Sequence, residues 1–248
     1  MGRTWIHTAL EVKSRFLIDL RVGPRSQALA VALLTSVAVC CLGPVLPLLL
    51  IDDHPLYPAA ILQVFGVLQH RRRRHGRGPK RRPRLKPPPG LGVGVVQKVR
   101  DGGGNVVKVI RRALFGRQRD IEQRICQLGL GTRINTAHLE RCNGTLRSQQ
   151  SARLARRTRN GSRRTVLLQY ALWLWRDLYH WTRVHASLAG RTPAMALGLA
   201  REVWTVRSYV RHPVHVSALQ SDIWAEERRA AQESALDHYF HEKALPIS

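Results

Sequence analysis

The chain has 248 residues, 44% of them hydrophobic, and its 41 Lys and Arg residues against 16 Asp and Glu residues leave a formal net charge of +25. The length suits one ordinary domain or two small ones. The charge destabilises a compact state by self-repulsion unless an anionic partner or counterions offset it. Nucleic-acid phosphate is the first candidate partner and anionic lipid the second. The four cysteines lack the paired spacing of a zinc site or a disulfide framework, which favours a reducing, cytoplasmic compartment.

Two extended runs come first in the chain. Residues 4–10 (TWIHTAL) and 15–22 (RFLIDLRV) are joined by a polar link at residues 11–14. Their β-branched and aromatic content predicts an antiparallel pair of strands.

A long uncharged stretch follows at residues 26–51, and its length is enough to cross a bilayer. A Gly-Pro pair and a second proline, all within positions 43–47, interrupt it. We therefore expect a helix at 27–41 and a buried central strand at 48–51, with no stable membrane span.

Two aspartates, Asp52 and Asp53, stand directly after that strand. The C-terminal end of a strand is where ligands and catalytic groups gather in open α/β sheets. Alternatively, one of the two only caps the helix that starts near Pro58.

The next segment, residues 70–90, is basic and proline-rich, and ten of the sixteen residues at 71–86 are Lys or Arg. Such a composition cannot form a core, so we expect an exposed, flexible arm. Its basic side chains are candidate DNA contacts. They are Arg71, Arg72, Arg73, Arg74, Lys80, Arg81 and Arg82.

A hairpin is predicted at residues 93–115, where two β-rich runs flank the turn sequence DGGGN. A helix at about 120–128 and a second helix at 134–147 follow. In the second helix, Glu140, Asn143 and Arg147 share one face. Glu140 is either part of a solvated charged face or a metal ligand beside DNA-facing side chains.

The remaining elements are predicted to be helical. A basic segment beginning at Ser151 adds Arg153, Arg156 and Arg157 to the candidate DNA contacts. The long apolar helix at 165–184 is expected to bury its aromatic residues in the core. We assign its apolar face by i+3/i+4 spacing to Leu167, Ala171, Leu174, Leu178 and Trp181. Later elements are a helix capped by Thr192 and Pro193, a short helix near Thr205 and a charged helix at 221–244.

Three segments, in order, resemble bacterial insertion-sequence transposases of the DDE type over roughly residues 3–210. IDDHPLYP is similar to the second-aspartate motif, which points to Asp52. INTAHLERCNGTLRSQQSARLARRTRNGSRR is similar to the helix of the third carboxylate, which points to Glu140. YHWTRVHASLAGRTPAMA resembles the segment that closes many such catalytic domains.

The resemblance implies an α/β fold of the ribonuclease-H-like type, a mixed sheet flanked by helices. It also implies that Asp52 and Glu140 are catalytic and metal-binding, holding two Mg²⁺ or Mn²⁺ ions for DNA strand cleavage and transfer. The partners of the chain would be mobile-element ends and target DNA. The chain itself would be associated with the nucleoid and could form a homo-oligomer. The domain would comprise residues 1–69 and 91–210, with 70–90 as an insertion and 211–248 as a C-terminal tail.

One departure from the family pattern concerns its first catalytic aspartate, which lies on a strand before the first one here. No Asp precedes Asp19, Glu11 falls in the link, and Asp53 replaces a usual glycine. The resemblance thus implies an N-terminally truncated domain with impaired catalysis. Two alternatives to this function are a basic nucleic-acid-binding protein without catalytic activity and a membrane-associated basic protein.

Overall fold

The computed structural model describes residues 4–41, 46–69, 82–154 and 164–212. Through residue 205 these form one mixed α/β unit, so the predicted α/β class is confirmed. The strands are β1 (Trp5–Glu11), β2 (Phe16–Gly23), β3 (Leu48–Asp52), β4 (Val67–Gln69), β5 (Arg84–Lys86), β6 (Gly92–Arg100) and β7 (Val106–Phe115). The helices are α1 (Gln27–Cys40), α2 (Tyr57–Phe65), α3 (Gln118–Gln127), α4 (Ala137–Gln149), α5 (Ser151–Leu154), α6 (Thr165–Thr182), α7 (Pro193–Ala196) and α8 (Val206–Arg211), with a short 3₁₀ helix at Ala186–Leu188.

The predicted first strand pair is confirmed, since β1 and β2 pair antiparallel. Glu11 ends β1 and organises the turn, where its carboxylate accepts hydrogen bonds from the backbone N–H of Lys13 (2.9 Å) and Ser14 (2.6 Å). Leu17, Leu20 and Val22 of β2 are buried in the largest apolar cluster. The pair therefore presents one apolar face to the core.

The uncharged stretch forms α1 and β3, as its prolines predicted. Ser26 caps α1 by accepting a hydrogen bond from the N–H of Leu29. β3 pairs parallel with β6, and β6 pairs antiparallel with β7 across the predicted hairpin. Among the helices that the structure describes, none combines the length and apolarity needed to cross a membrane.

The two main sheets lie between the same helices. On one side, Ser36 of α1 hydrogen-bonds Asp19 of β2 (2.6 Å), while Ala30 packs with Val93 of β6. On the other side, α4 packs Leu146 against β2 and reaches Lys98 of β6. Within the described ranges, no hydrogen-bonded ladder joins β1 to β3.

The expectation of a flexible arm over all of residues 70–90 is wrong for its C-terminal part. Residues 84–86 form β5, which pairs antiparallel with β4 just before the segment. All three β5 residues are exposed, so backbone hydrogen bonds hold this short pair rather than a core. Residues 70–81, the rest of the predicted flexible arm before Arg82, lie outside the described residues.

The predicted apolar face of α6 is wrong by one residue. Leu167 and Leu174 are 55% and 54% exposed, whereas the buried side chains begin one position later. These are Leu168, Leu172, Trp175 and Tyr179, with His180 beside them. Both sets have helical spacing, and packing against β2 and α4 selects the second. The predicted core placement of the aromatics is confirmed for Trp175 and Tyr179 and is wrong for Tyr170, which is 57% exposed.

The closing elements follow their capping signals. Thr192 accepts a hydrogen bond from the N–H of Met195 (3.2 Å), and Pro193 occupies the first turn of α7. The predicted helix near residue 205 is α8. The predicted charged helix at 221–244 lies outside the described residues.

Candidate functional site

Asp52 is the last residue of β3, and its Cα is paired with that of Val96 in the parallel ladder. Its side chain is exposed at the C-terminal end of the strand. Neighbouring atoms still displace enough water to raise the pKa of Asp52, while the nearby charge of His54 lowers it. The strand thus ends in a carboxylate that takes up a proton more readily than an ordinary aspartate.

Two histidines, a tyrosine and an arginine surround this strand end. His54 Nε2 accepts a hydrogen bond from Arg25 Nε at 2.7 Å. His7 Nδ1 lies 3.1 Å from the Tyr57 hydroxyl, and the His7 and His54 rings are 5.3 Å apart. Burial is the main cause that lowers the pKa of both histidines, and the Arg25 charge adds to it. Both histidines beside Asp52 therefore bind a proton less readily than a free imidazole.

Sequence reasoning missed three members of this cluster, the two histidines and the arginine. His54 stands inside the IDDHPLYP motif and could have been noticed there. His7 comes from the middle of β1 and Arg25 from the loop before α1, and no local pattern connects them to residue 54. Only the packing of β1 beside the end of β3 brings them together.

The alternative role of the aspartates as helix caps is wrong. The residue at the N-cap of α2 is Leu56, and no side chain caps that helix. Asp53 instead accepts a hydrogen bond from Arg112 Nη2 of β7 at 2.9 Å. The extra charge next to Asp52 is therefore neutralised by the neighbouring hairpin.

Glu140 lies in the first turn of α4 and has partners at both carboxylate oxygens. Lys98 Nζ of β6 is 2.5 Å from Oε2, and the Thr136 hydroxyl donates to Oε1 at 2.7 Å. These two hydrogen bonds lower the pKa of Glu140 and keep it ionised. The N-terminal turn of α4 is thus tied to β6, the central strand of its sheet, by a lysine.

The strand register places Asp52 and Glu140 on the same face of one sheet. Asp52 is opposite Val96, and Lys98 follows Val96 by two residues, so the Asp52 and Lys98 side chains share a face. Glu140 contacts Lys98 on that face. The charged groups that shift the pKa of Asp52, however, are His54, Arg25 and Asp53.

A metal site of the kind implied by the resemblance needs several carboxylates free to coordinate. Within the described ranges, no group of three or more His, Cys, Asp or Glu side chains is arranged to hold a metal ion. Both oxygens of Glu140 already accept hydrogen bonds, so a divalent ion there would have to displace Lys98 and Thr136. In the described arrangement, both oxygens of Glu140 are thus engaged by protein donors.

Three of the candidate DNA contacts line one cavity of about 340 Å³ between β1, α4, α5 and α6. Asn143 and Arg147 are on its α4 side, and Arg153 closes it from α5. Asn143 Oδ1 also accepts a hydrogen bond from the Thr8 hydroxyl of β1 at 3.0 Å. The cavity thus combines exposed guanidinium groups with an amide already held by the sheet.

The other candidate contacts are less well defined by the fold. Arg82 is exposed. The remaining ones lie outside the described residues. They are Arg71, Arg72, Arg73, Arg74, Lys80, Arg81, Arg156 and Arg157.

Two further acids have structural partners. Asp19 is buried and forms ion pairs with Arg21 (2.6 Å) and Arg176 (3.6 Å). The carboxylate of Glu11 is engaged in the β1–β2 turn. Both side chains stabilise the fold around β2.

Comparison of the chain with protein-family models, with curated proteins and with solved structures gave no match.

Proposed function

We propose that the chain is a DNA-binding fragment of a DDE-type transposase catalytic domain with a ribonuclease-H-like fold. The observation that carries the proposal is the placement of Asp52 and Glu140. They lie far apart in the sequence, yet both face the same side of the sheet formed by β3, β6 and β7. In the resemblance these two positions correspond to the second and third carboxylates.

The order of elements supports this proposal. An antiparallel pair is followed by a helix, a strand that ends in Asp52 and a second helix. After the short β4–β5 pair comes β6, which is parallel to β3. The mixed sheet, with helices on both faces, is the arrangement that the resemblance implies. A strand placed between β1 and β3 would join the two sheets, as that fold requires.

The charge distribution supports DNA as the partner. Lys98 and Arg100 act on the Glu140 face of the sheet, and Arg147 and Arg153 line the adjacent cavity. Guanidinium and ammonium groups bind phosphate oxygens through charge-assisted hydrogen bonds. Binding should release counterions and weaken steeply with salt.

Binding is tested by fluorescence anisotropy of the full chain on a labelled duplex of arbitrary sequence over a range of NaCl concentrations. We expect measurable affinity at low salt and a linear fall of log K with log salt. A chain that does not bind the duplex at low salt would contradict the proposed function.

The fragment should not catalyse strand transfer, because phosphoryl transfer depends on positioning and charge stabilisation, and the resemblance assigns only two of the three carboxylates, Asp52 and Glu140. The measurement is cleavage and joining of labelled duplex bearing transposon ends, in Mg²⁺ or Mn²⁺. Activity lost in both Asp52→Ala and Glu140→Ala would show that the chain is a complete enzyme. Activity that survives both substitutions would refute the site.

A second candidate function is a basic nucleic-acid-binding protein without chemistry. The ion pair between Glu140 and Lys98 favours it, because it gives the carboxylate a structural role. Divalent-metal binding separates the two: a metal-dependent change at Asp52 and Glu140 supports the transposase fragment alone.

A further inference from the structure

The contact between Lys98 and Glu140 joins two elements at the surface of the sheet. Lys98 belongs to β6 and Glu140 to α4, and their side chains are 34% and 48% exposed. Thr136 fixes the second carboxylate oxygen, so the carboxylate has one orientation. An ammonium group carries three donors, and the bond to Glu140 uses one of them. The others remain available to an anion arriving from solvent.

The local charge balance on this face is positive. Arg100 follows Lys98 by two residues and therefore shares its face of the strand, and its charge also acts on Glu140. Two cations thus stand beside a single carboxylate. An exposed ion pair by itself adds little to stability, so the geometry is better suited to holding a cation in place for a ligand.

We propose that Lys98, oriented by Glu140, is a fixed cation that contacts the backbone phosphates of duplex DNA, so that this face binds DNA without a divalent metal ion. The inference rests on the DNA-binding part of the proposed function, which both candidate functions share, and not on a metal ion at Asp52 and Glu140. Lys98 donates a hydrogen bond to the Glu140 oxygen that a metal ion would coordinate, and its ammonium group is partly exposed to solvent on that face.

The lysine at position 108 provides a matched control. Lys108 is exposed and is paired with Val99 on β6, whose side chain points to the opposite face from Lys98. Lys98→Met and Lys108→Met therefore remove the same charge from two faces of one hairpin. Circular dichroism of both variants confirms that the fold is retained.

The salt dependence of duplex binding is then measured for the full chain and both variants. We expect Lys98→Met to reduce the slope of log K against log salt by about 0.9, the loss of one phosphate contact. Lys108→Met should leave the slope unchanged. Equal slopes in the two variants would overturn the proposal, whereas failure of the wild type to bind DNA would overturn the proposed function itself.

Glu140→Gln tests the positioning role. If Glu140 acts through Lys98, the effect of Lys98→Met on the slope should shrink in the Glu140→Gln background. A full effect in that background would show that Lys98 binds phosphate independently of Glu140 and would overturn this part of the proposal.

Metal independence is tested with the wild-type chain in EDTA and in micromolar Mn²⁺ at matched ionic strength. We expect the same duplex affinity in both conditions. In electron paramagnetic resonance titrations, Glu140→Gln should bind as much Mn²⁺ as the wild type. An affinity that falls in EDTA and returns with Mn²⁺, or Mn²⁺ binding abolished by Glu140→Gln, would overturn the inference.

Discussion

His180 shows how a single side chain links distant parts of this fold. It is buried on α6, its ring stacks on Phe16 at 3.8 Å, and its Nε2 accepts a hydrogen bond from the backbone N–H of Leu17 at 3.0 Å. Burial is the main cause that lowers the pKa of His180 to about 3, and the Arg176 charge adds to it. The neutral ring is therefore part of the attachment of α6 to β2.

This burial predicts a pH-dependent stability. The folded-state pKa lies below the ordinary value of 6.5, so the unfolded chain takes up the proton first as the pH falls. The contribution is fully present above pH 6.5 and is lost between about 6.5 and 3. The loss approaches about 1.4 kcal/mol per pH unit.

Urea unfolding at several pH values measures this effect. His180→Gln keeps an acceptor for Leu17 but removes the titration, so the variant's free energy of unfolding should fall less steeply with decreasing pH. His7 and His54 should act in the same direction in both proteins, because burial also lowers their pKa. Identical pH slopes for variant and wild type would show that His180 is not held neutral.

At the scale of the elements, a glycine sets the distance between α4 and the sheet. Ile134, just before α4, is fully buried and packs onto Gly94 of β6. A Cβ on Gly94 would lie 2.9 Å from Ile134 Cγ2. Arg111 Nε of β7 also donates to the Ile134 carbonyl at 3.0 Å. These contacts position the start of α4, and with it Glu140 above Lys98.

Gly94→Ala should therefore push Ile134 outward and destabilise the fold by about 1–3 kcal/mol, the usual cost of overpacking. Gly102→Ala is the control, because a Cβ at that turn position would meet no atom within 4 Å. Urea unfolding of both variants gives the comparison. Equal stability of the two would contradict the close packing of Ile134 on the sheet.

At the scale of the whole molecule, the net charge of +25 destabilises the compact state unless an anionic partner or counterions offset it. The proposed DNA contacts lie both in the described elements and in the basic segment at 70–90. The β4–β5 pair brings the two ends of the basic segment together. Residues 71–81 can then be replaced by a Gly-Ser segment of equal length without altering that pair. The replacement removes the seven Lys and Arg residues of this segment.

We expect this replacement to flatten the dependence of duplex affinity on salt by about 0.9 in log–log slope for each phosphate contact that is lost. Anisotropy titrations of the wild type and the replacement variant provide the slopes. An unchanged slope would show that the arm does not touch the DNA backbone.

The sequence by itself determined the local elements and the position of Asp52. Alternation and turn residues identified the β1–β2 pair and the β6–β7 hairpin, the prolines divided the uncharged stretch, and Thr192 marked a helix start. These features are local, because they depend on backbone conformation and on residues a few positions apart. A shared metal at Asp52 and Glu140 stays a prediction, as does DNA as the partner.

Only the tertiary structure decided which surfaces meet. Helical spacing in α6 is equally compatible with two neighbouring stripes, and packing against β2 buried the one beginning at Leu168. No sequence pattern linked Lys98 to Glu140 or His7 to Tyr57, because each pair joins different elements across many residues. Periodicity specifies which residues share a face, whereas the energy that selects a partner for that face comes from long-range packing, charge and hydrogen bonding.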